Sequence, residues 1–212
     1  GVRIPSPASI FIKIIISNNH MKILSICGSP RKGNSETILN RLKQELEKKC
    51  IDNEIILLRN KNIQRCNGYV EYCNKNLKCH HDDDMAEIRE KMIDADGYIF
   101  AMPNYFTMPP GLFKDFIDKC SILYTAETDL TSKRAVVISV STDLENIREN
   151  VKNISENFCS ILKIKVVAKG AFVSRSELKG NYNDIFENGL NTDIEHQLEN
   201  MAEELAESLK KY

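Results

Sequence analysis

The stretch MKILSICGSPRKGNS, residues 21–35, decides the fold of this chain. Its first half is a short apolar run, residues 22–27, which predicts a β-strand ending at Gly28. Its second half is a polar loop with two glycines and two serines. Apolar residues then recur at helical spacing over residues 36–49. A strand, a loop and an amphipathic helix in this order predict a βα unit, the repeating element of a parallel sheet.

The same alternation continues to the end of the chain. Its strands are almost entirely apolar, as expected for a sheet covered on both faces. Five such units predict an α/β fold, a flavodoxin-like three-layer sandwich with a five-stranded parallel sheet in the order 2-1-3-4-5. The predicted strands are 22–27, 54–58, 97–102, 134–140 and 163–173, and the predicted helices are 36–49, 82–94, 109–123, 144–162 and 191–211.

Composition narrows the class of protein. The chain has 212 residues, 42% of them apolar and 28% charged, which excludes a disordered chain. The net charge is −1, so the basic excess of a nucleic-acid-binding protein is missing. Apolar runs are too short for a membrane span. Seven cysteines, three of them within residues 66–79, are typical of reduced thiols, and we expect a cytoplasmic protein.

The first twenty residues precede Met21 and the first predicted strand. Their apolar core, residues 11–16, is short and interrupted by Lys13. A secretory signal needs a longer apolar run and a small-residue cleavage site, so it is the less favoured interpretation. We expect residues 1–20 to be an N-terminal extension, with an edge strand at 10–16, and residues 21–212 to form one domain.

The loop between Gly28 and Ser35 favours an anion-binding site, because a helix N-terminus offers free backbone N–H groups. Gly28 and Gly33 are expected to let the backbone approach a ligand closely. The spacing is almost that of a Walker A loop, but Asn34 stands where the lysine that clamps a triphosphate belongs. One phosphate monoester suits the loop better. The alternatives are a nucleotide-binding module and a polar turn with an ordinary helix cap.

A second loop, MPNYFTMPPG over residues 102–111, follows the third strand. Pro103 stiffens it, and the amide of Asn104 can hydrogen-bond an imide edge. Tyr105 and Phe106 can lie against a flat ring. The alternative is a turn whose aromatic side chains cover the core.

Together the two loops resemble the flavin-binding segments of the NADPH-dependent FMN reductase family. The resemblance rests on ICGSPRKGNSETIL, on PNYF and on the following pattern G-x-x-K-x-F-I-D-K, residues 111–119. After the fourth strand the family often has a glycine-rich turn, where this chain has Ser141 and Thr142. We therefore predict that FMN is bound by Ser29, Arg31, Asn34, Ser35, Thr37, Pro103, Asn104, Tyr105, Phe106, Ser141 and Thr142.

This resemblance implies an FMN-dependent oxidoreductase that takes electrons from NAD(P)H and passes them to a small acceptor, such as a quinone or flavin. We predict no catalytic side chain, because the cofactor carries the chemistry. The resemblance also implies a homodimer. The alternative is a flavodoxin-like electron carrier without nicotinamide-dependent turnover, which a net charge of −1 disfavours because flavodoxins are strongly acidic.

Cys66, Cys73 and Cys79 resemble the region where iron-sulfur flavoproteins of this family hold a cubane cluster with four cysteines. Here Tyr69 stands at the second cysteine position and Cys73 is displaced by one residue. We therefore predict no cluster and no metal ligand. A structural remnant is the favoured interpretation. The alternatives are a redox thiol or disulfide pair, and a zinc site of the three cysteines with His80 or His81.

Overall fold

A computed structural model describes residues 21–174 and 192–210 of the chain. Its centre is a five-stranded sheet in the order β2-β1-β3-β4-β5, and every neighbouring pair is parallel. The predicted sheet and strand order are confirmed. The extension predicted at 1–20, with its edge strand, lies outside the described residues. The strands are β1 Lys22–Cys27, β2 Asp52–Leu57, β3 Gly97–Pro103, β4 Arg134–Ser141 and β5 Lys165–Val173.

Helices connect the strands and form the two outer layers. Two predicted helices are not continuous α-helices, since the one at 109–123 divides at Cys120 and the one at 144–162 ends in a π-helical turn, Ile154–Cys159. The helix predicted at 82–94 begins only at Met85. None of the described helices is long and apolar enough to cross a membrane. The helices are α1 Asn34–Glu47, α2 Val70–Asn76, α3 Met85–Asp94, α4 Gly111–Lys119, α5 Ser121–Thr125, α6 Leu144–Asn153 and α7 Thr192–Leu209.

Two hydrophobic cores lie on opposite faces of the sheet. On β3, Tyr98 and Phe100 belong to the core shared with α3, α4 and α6. The alternate residues Ile99 and Ala101 belong to the core shared with α1 and α7. All four side chains are completely buried, which explains why the strand is apolar throughout instead of alternating with polar residues.

Parallel strands direct every βα loop to one edge of the sheet. The loops that follow β1, β3, β4 and β5 therefore begin side by side. Backbone hydrogen bonds lock them together there, from Gly28 N to Ala101 O (2.8 Å) and from Asn104 N to Val140 O (2.9 Å). In open sheets of this kind ligands bind at this carboxyl edge, where the strand order reverses beside β1.

Candidate functional site

A pocket opens at the carboxyl edge of the sheet, between the loops after β1 and β3. Nine of the predicted binding residues line it, and Gly33, Val140 and Ser174 line it in addition. Thr37 and Phe106 are not among the lining residues. The nine are Ser29, Arg31, Asn34, Ser35, Pro103, Asn104, Tyr105, Ser141 and Thr142.

The first wall of the pocket is the loop that ends at α1. Its polar side chains are buried, with Ser29, Asn34 and Ser35 only 5%, 7% and 3% exposed. The Ser29 hydroxyl donates to the carbonyl of Arg31 at 2.7 Å, which closes the loop on itself. Gly33 precedes the helix and supplies no side-chain cap. An anion suits this end of α1 best, because the helix dipole and the N–H groups of the first turn favour negative charge there.

Thr37, also predicted to bind FMN, forms hydrogen bonds at the start of α1. Its hydroxyl donates to the carbonyl of Gly33 at 3.3 Å, and its backbone N–H donates to the same carbonyl at 3.1 Å. These bonds secure the first turn of α1 from inside the helix. Thr37 therefore supports the anion-binding end of the helix without lining the pocket.

The reason for a glycine at position 28 also differs from the expected one. A Cβ atom there would lie 2.5 Å from Cδ2 of Phe113 and 3.0 Å from Cβ of Met102. The glycine is required because β1 ends directly beneath α4. Gly33 has a φ of 165°, an extended backbone that any residue can adopt. Packing therefore explains Gly28, where the sequence suggested close approach of a ligand.

Asn104 provides the second wall. Its backbone is fixed to β4 through the carbonyl of Val140, and its side chain is 9% exposed. The Oδ1 atom is buried and has no hydrogen-bond partner within 21–174 and 192–210. A buried polar atom left without a partner costs about 1–3 kcal/mol. A ligand with an N–H group, such as the imide of a flavin ring, would satisfy this oxygen.

A tight turn follows Asn104. Tyr105 and Met108 exchange two backbone hydrogen bonds of 2.8 and 3.0 Å across it. The residues between them, Phe106 and Thr107, have φ values of 52° and 62°. Such left-handed conformations cost about 1–3 kcal/mol each outside glycine and concentrate at functional sites. Asn153 of α6 holds the turn by donating to the carbonyl of Thr107 at 3.3 Å.

The turn decides the positions of the two predicted aromatic residues. Tyr105 lines the pocket and is 39% exposed. Phe106 is 99% exposed at the tip of the turn. The sequence could not separate the two roles, because they follow from the left-handed backbone at Phe106.

The third wall comes from the ends of β4 and β5. The predicted FMN-binding residues Ser141 and Thr142 line it together with Ser174, which the sequence analysis missed. Ser174 donates its N–H to the carbonyl of Ser141 at 2.6 Å, and its hydroxyl accepts from Nδ2 of Asn34 at 3.3 Å. Its place directly after the fifth strand was the available signal, since that strand ends at the same edge as the others.

A second region of interest is the cysteine segment, residues 66–81, between β2 and α3. Cys66 is exposed, and Cys73 and Cys79 are partly buried. The ligating atoms of Cys79, His80 and His81 all lie within 4.8 Å of one another. The ring of Tyr69 meets that of His80 edge-on, with centroids 4.4 Å apart. The segment thus collects several metal-ligating groups at its C-terminal end.

Asp83 anchors this segment to the body of the protein. Its side chain and the ammonium of Lys119, on α4, form an ion pair in which each is 1% exposed. Asp83 also accepts from the backbone N–H groups of Gln64 (2.9 Å) and Met85 (3.1 Å). Burial alone would raise the pKa of Asp83, but Lys119 and these donors outweigh it and hold that pKa below its usual range.

The other buried cysteines are core residues. Cys27, Cys120 and Cys159 are at most 1% exposed. Burial raises the pKa of all three thiols, and that of Cys159 to about 12. These thiols are protonated at neutral pH and behave as small apolar side chains.

Comparisons with known proteins agree with this architecture. A family model described as NADPH-dependent FMN reductase matches residues 21–178. An iron-sulfur flavoprotein of Archaeoglobus fulgidus is 32% identical to this chain over 122 residues, which cover 57% of this chain and 62% of the relative. An iron-sulfur flavoprotein of Methanocaldococcus jannaschii is 30% identical over 154 residues, covering 72% of this chain and 77% of the relative.

Among solved structures, the fold is similar to that of a protein described as flavone reductase. The TM-score is 0.64 at 19% identity, and the match covers 90% of this chain and 63% of the other. At this identity the likeness concerns the fold alone. The chain spans less than two thirds of the length of both the Archaeoglobus relative and the flavone reductase.

Proposed function

The chain belongs to the NADPH-dependent FMN reductase family, and on that premise we propose that it is an FMN-dependent oxidoreductase that takes electrons from NAD(P)H and passes them to a small acceptor such as a quinone. The observation that carries this proposal is the pocket. It offers an uncapped helix N-terminus at one wall and the unpartnered, buried oxygen of Asn104 at the other. Bound FMN would supply the redox chemistry.

The phosphate of FMN would lie at the start of α1. Ser29 and Ser35 bring hydroxyls that are already buried and ordered, so little side-chain entropy is lost on binding. Arg31 lines the same wall and adds positive charge. Asn34, in place of a Walker A lysine, matches a single phosphate group rather than a triphosphate.

The flavin ring would lie against the loop after β3. Its imide N–H is the donor that Oδ1 of Asn104 needs. The ring would rest beside Pro103 and Tyr105, with Ser141 and Thr142 offering hydroxyls from the opposite wall. Because backbone hydrogen bonds fix Asn104 to β4, this wall is preorganised to orient the ring.

A nicotinamide would have to stack on the flavin with the reacting atoms about 3–3.5 Å apart. The exposed ring of Phe106 and the partly exposed ring of Tyr105 would shape that approach. We propose that Phe106 acts on the incoming nicotinamide or acceptor rather than on FMN, since it does not line the pocket. Assembly as a homodimer stays a proposal derived from the resemblance.

Anaerobic stopped-flow mixing tests this function. The FMN-loaded protein is mixed with NADPH and, separately, with NADH. The absorbance of the oxidised flavin is followed at about 450 nm. We expect at least one nucleotide to bleach the band within seconds, and a quinone to restore it. Free FMN at the same concentration is the control. If neither nucleotide bleaches the band within minutes, the reductase proposal fails and the electron-carrier alternative takes its place.

The role of Phe106 has its own test. Phe106→Ala is expected to raise the KM for NAD(P)H or the acceptor and to leave the Kd for FMN unchanged. Tyr124→Ala is the matched control, because this aromatic side chain is 64% exposed and lies outside the pocket. A weaker Kd for FMN in Phe106→Ala would place the ring in the flavin site after all.

A further inference from the structure

The cysteine segment does not provide the donors of an iron-sulfur cubane. Such clusters are held by four thiolates. The segment has three cysteines, and in the structure the ring of Tyr69 packs against His80 instead of adding a thiolate. The thiol of Cys79 is grouped with two imidazoles. This set of one sulfur and two nitrogens is unsuited to the cubane that gives the relatives their name.

The same set is suited to a single metal ion. In a tetrahedral zinc site, Zn–S is about 2.3 Å and Zn–N about 2.0–2.1 Å, so neighbouring ligand atoms lie roughly 3.3–3.8 Å apart. The ligating atoms of Cys79, His80 and His81 are within 4.8 Å of one another. Side-chain rotations that close about 1 Å would complete this geometry.

The environment of His81 supplies a second observation. Its Nδ1 atom is buried and has no hydrogen-bond partner in the described part of the chain. Imidazole nitrogens in folded proteins normally find a partner, because leaving one without costs free energy. Metal ligation would satisfy this atom.

We propose that Cys79, His80 and His81 form a binding site for one divalent transition-metal ion of the zinc class. Thiolate and imidazole together select such ions over magnesium or calcium, which prefer oxygen ligands. The metal would fix the C-terminal end of the cysteine segment, two residues before its anchor Asp83. The site is independent of the flavin pocket and of the proposed redox function.

Cobalt titration of the full-length chain, after chelator treatment under reducing conditions, tests this site. We expect one Co²⁺ per chain, a thiolate-to-metal charge-transfer band and displacement of both by Zn²⁺. Cys79→Ser should abolish the charge-transfer band. Removing a residue that only hydrogen-bonds to a metal ligand costs about 10- to 100-fold in metal affinity. Replacing a ligand itself, as in Cys79→Ser and His81→Asn, should therefore weaken Co²⁺ binding at least about tenfold.

The matched controls are Cys50→Ser and His196→Asn, which change an exposed cysteine and an exposed histidine elsewhere on the surface. Both should bind Co²⁺ as the natural protein does. Far-UV circular dichroism checks that each variant is folded, and Zn²⁺ should raise the melting temperature of the natural protein and of the controls only. The proposal is overturned if Cys79→Ser and His81→Asn bind like the controls. Anaerobic reconstitution that yields about four iron and four sulfide ions per chain, as in a cubane, would overturn it equally.

Discussion

Two loops follow neighbouring strands of the same sheet, yet they are held in different ways. The loop after β1, residues 28–33, is exposed at residues 30–32 but buried at its two ends, where the polar side chains of Ser29, Asn34 and Ser35 lie. The cysteine segment comes after β2, and no residue of its helix α2 is buried. Tyr69, Val70 and Leu77 in that segment are each more than half exposed.

The difference shows which chemistry the fold itself constrains. The two ends of the loop after β1 are buried, and a side chain at Gly28 would collide with Phe113 of α4, so the fold constrains those ends. The cysteine segment is fixed at its C-terminal end by Asp83 and Asp84, whose carboxylates accept backbone N–H groups from Gln64 and Asn62. Its middle is exposed and therefore less constrained by the fold, and Tyr69 there is 56% exposed.

The largest effect is expected from cutting the anchor of the cysteine segment. Asp83→Ala leaves the ammonium of Lys119 buried without its partner, and breaking a buried ion pair in this way costs about 3–5 kcal/mol. Urea denaturation measures the loss. The control is Asp118→Ala, which breaks an exposed pair with Lys114 and should cost less than about 1 kcal/mol. Equal losses would mean that Asp83 is no special anchor.

Part of the same stabilisation should depend on pH. The pKa of Asp83 is held below its usual range, so its contribution is fully present above the unfolded value of about 3.9. It is lost as the pH falls through the lower folded value. The free energy of unfolding of the natural protein should therefore drop more steeply below about pH 4 than that of Asp83→Asn. Parallel pH profiles would contradict this assignment.

Exchanges of glycine should act in opposite directions in the two regions. In the loop after β1, Gly28→Ala drives a Cβ into Phe113 and Met102, and such overpacking costs about 1–3 kcal/mol. Gly111→Ala is the matched control, because a Cβ there meets nothing within 4 Å. Thermal denaturation should rank Gly28→Ala well below Gly111→Ala. Similar melting temperatures would show that the end of β1 can shift to accommodate the added Cβ atom.

In the cysteine segment a substitution to glycine should instead raise the stability of the protein. Leu77 ends α2 in a left-handed conformation, with a φ of 49°, and is 53% exposed. Leu77→Gly removes the steric penalty of that conformation, so we expect a gain of up to about 1 kcal/mol. Leu77→Ala keeps the penalty and should gain nothing. A loss of stability in Leu77→Gly would indicate that the exposed leucine side chain is needed.

The sequence predicts the sheet well because its signals are local. Apolar strands and amphipathic helices alternate along the chain, and this alternation leaves few possible topologies. Helix α2 escaped prediction, since an exposed helix has no apolar stripe. Ser174 escaped prediction because its contact with Asn34 joins residues that are 140 positions apart in the sequence. Cys79, His80 and His81 are consecutive in the sequence, which makes them candidate ligands, but the path of the loop determines whether their ligating atoms converge.

The central claim is that this pocket holds FMN at both ends. Titration of the natural protein, Arg31→Ala and Asn104→Ala with FMN and with riboflavin, which lacks the phosphate, tests it most directly. Arg31→Ala should weaken FMN binding by about 1.5–3 kcal/mol, the range for a charge-assisted hydrogen bond, and leave riboflavin binding nearly unchanged. Asn104→Ala should weaken both ligands equally. Equal losses for both ligands in Arg31→Ala would contradict the account, because the loop after β1 would then not hold the phosphate.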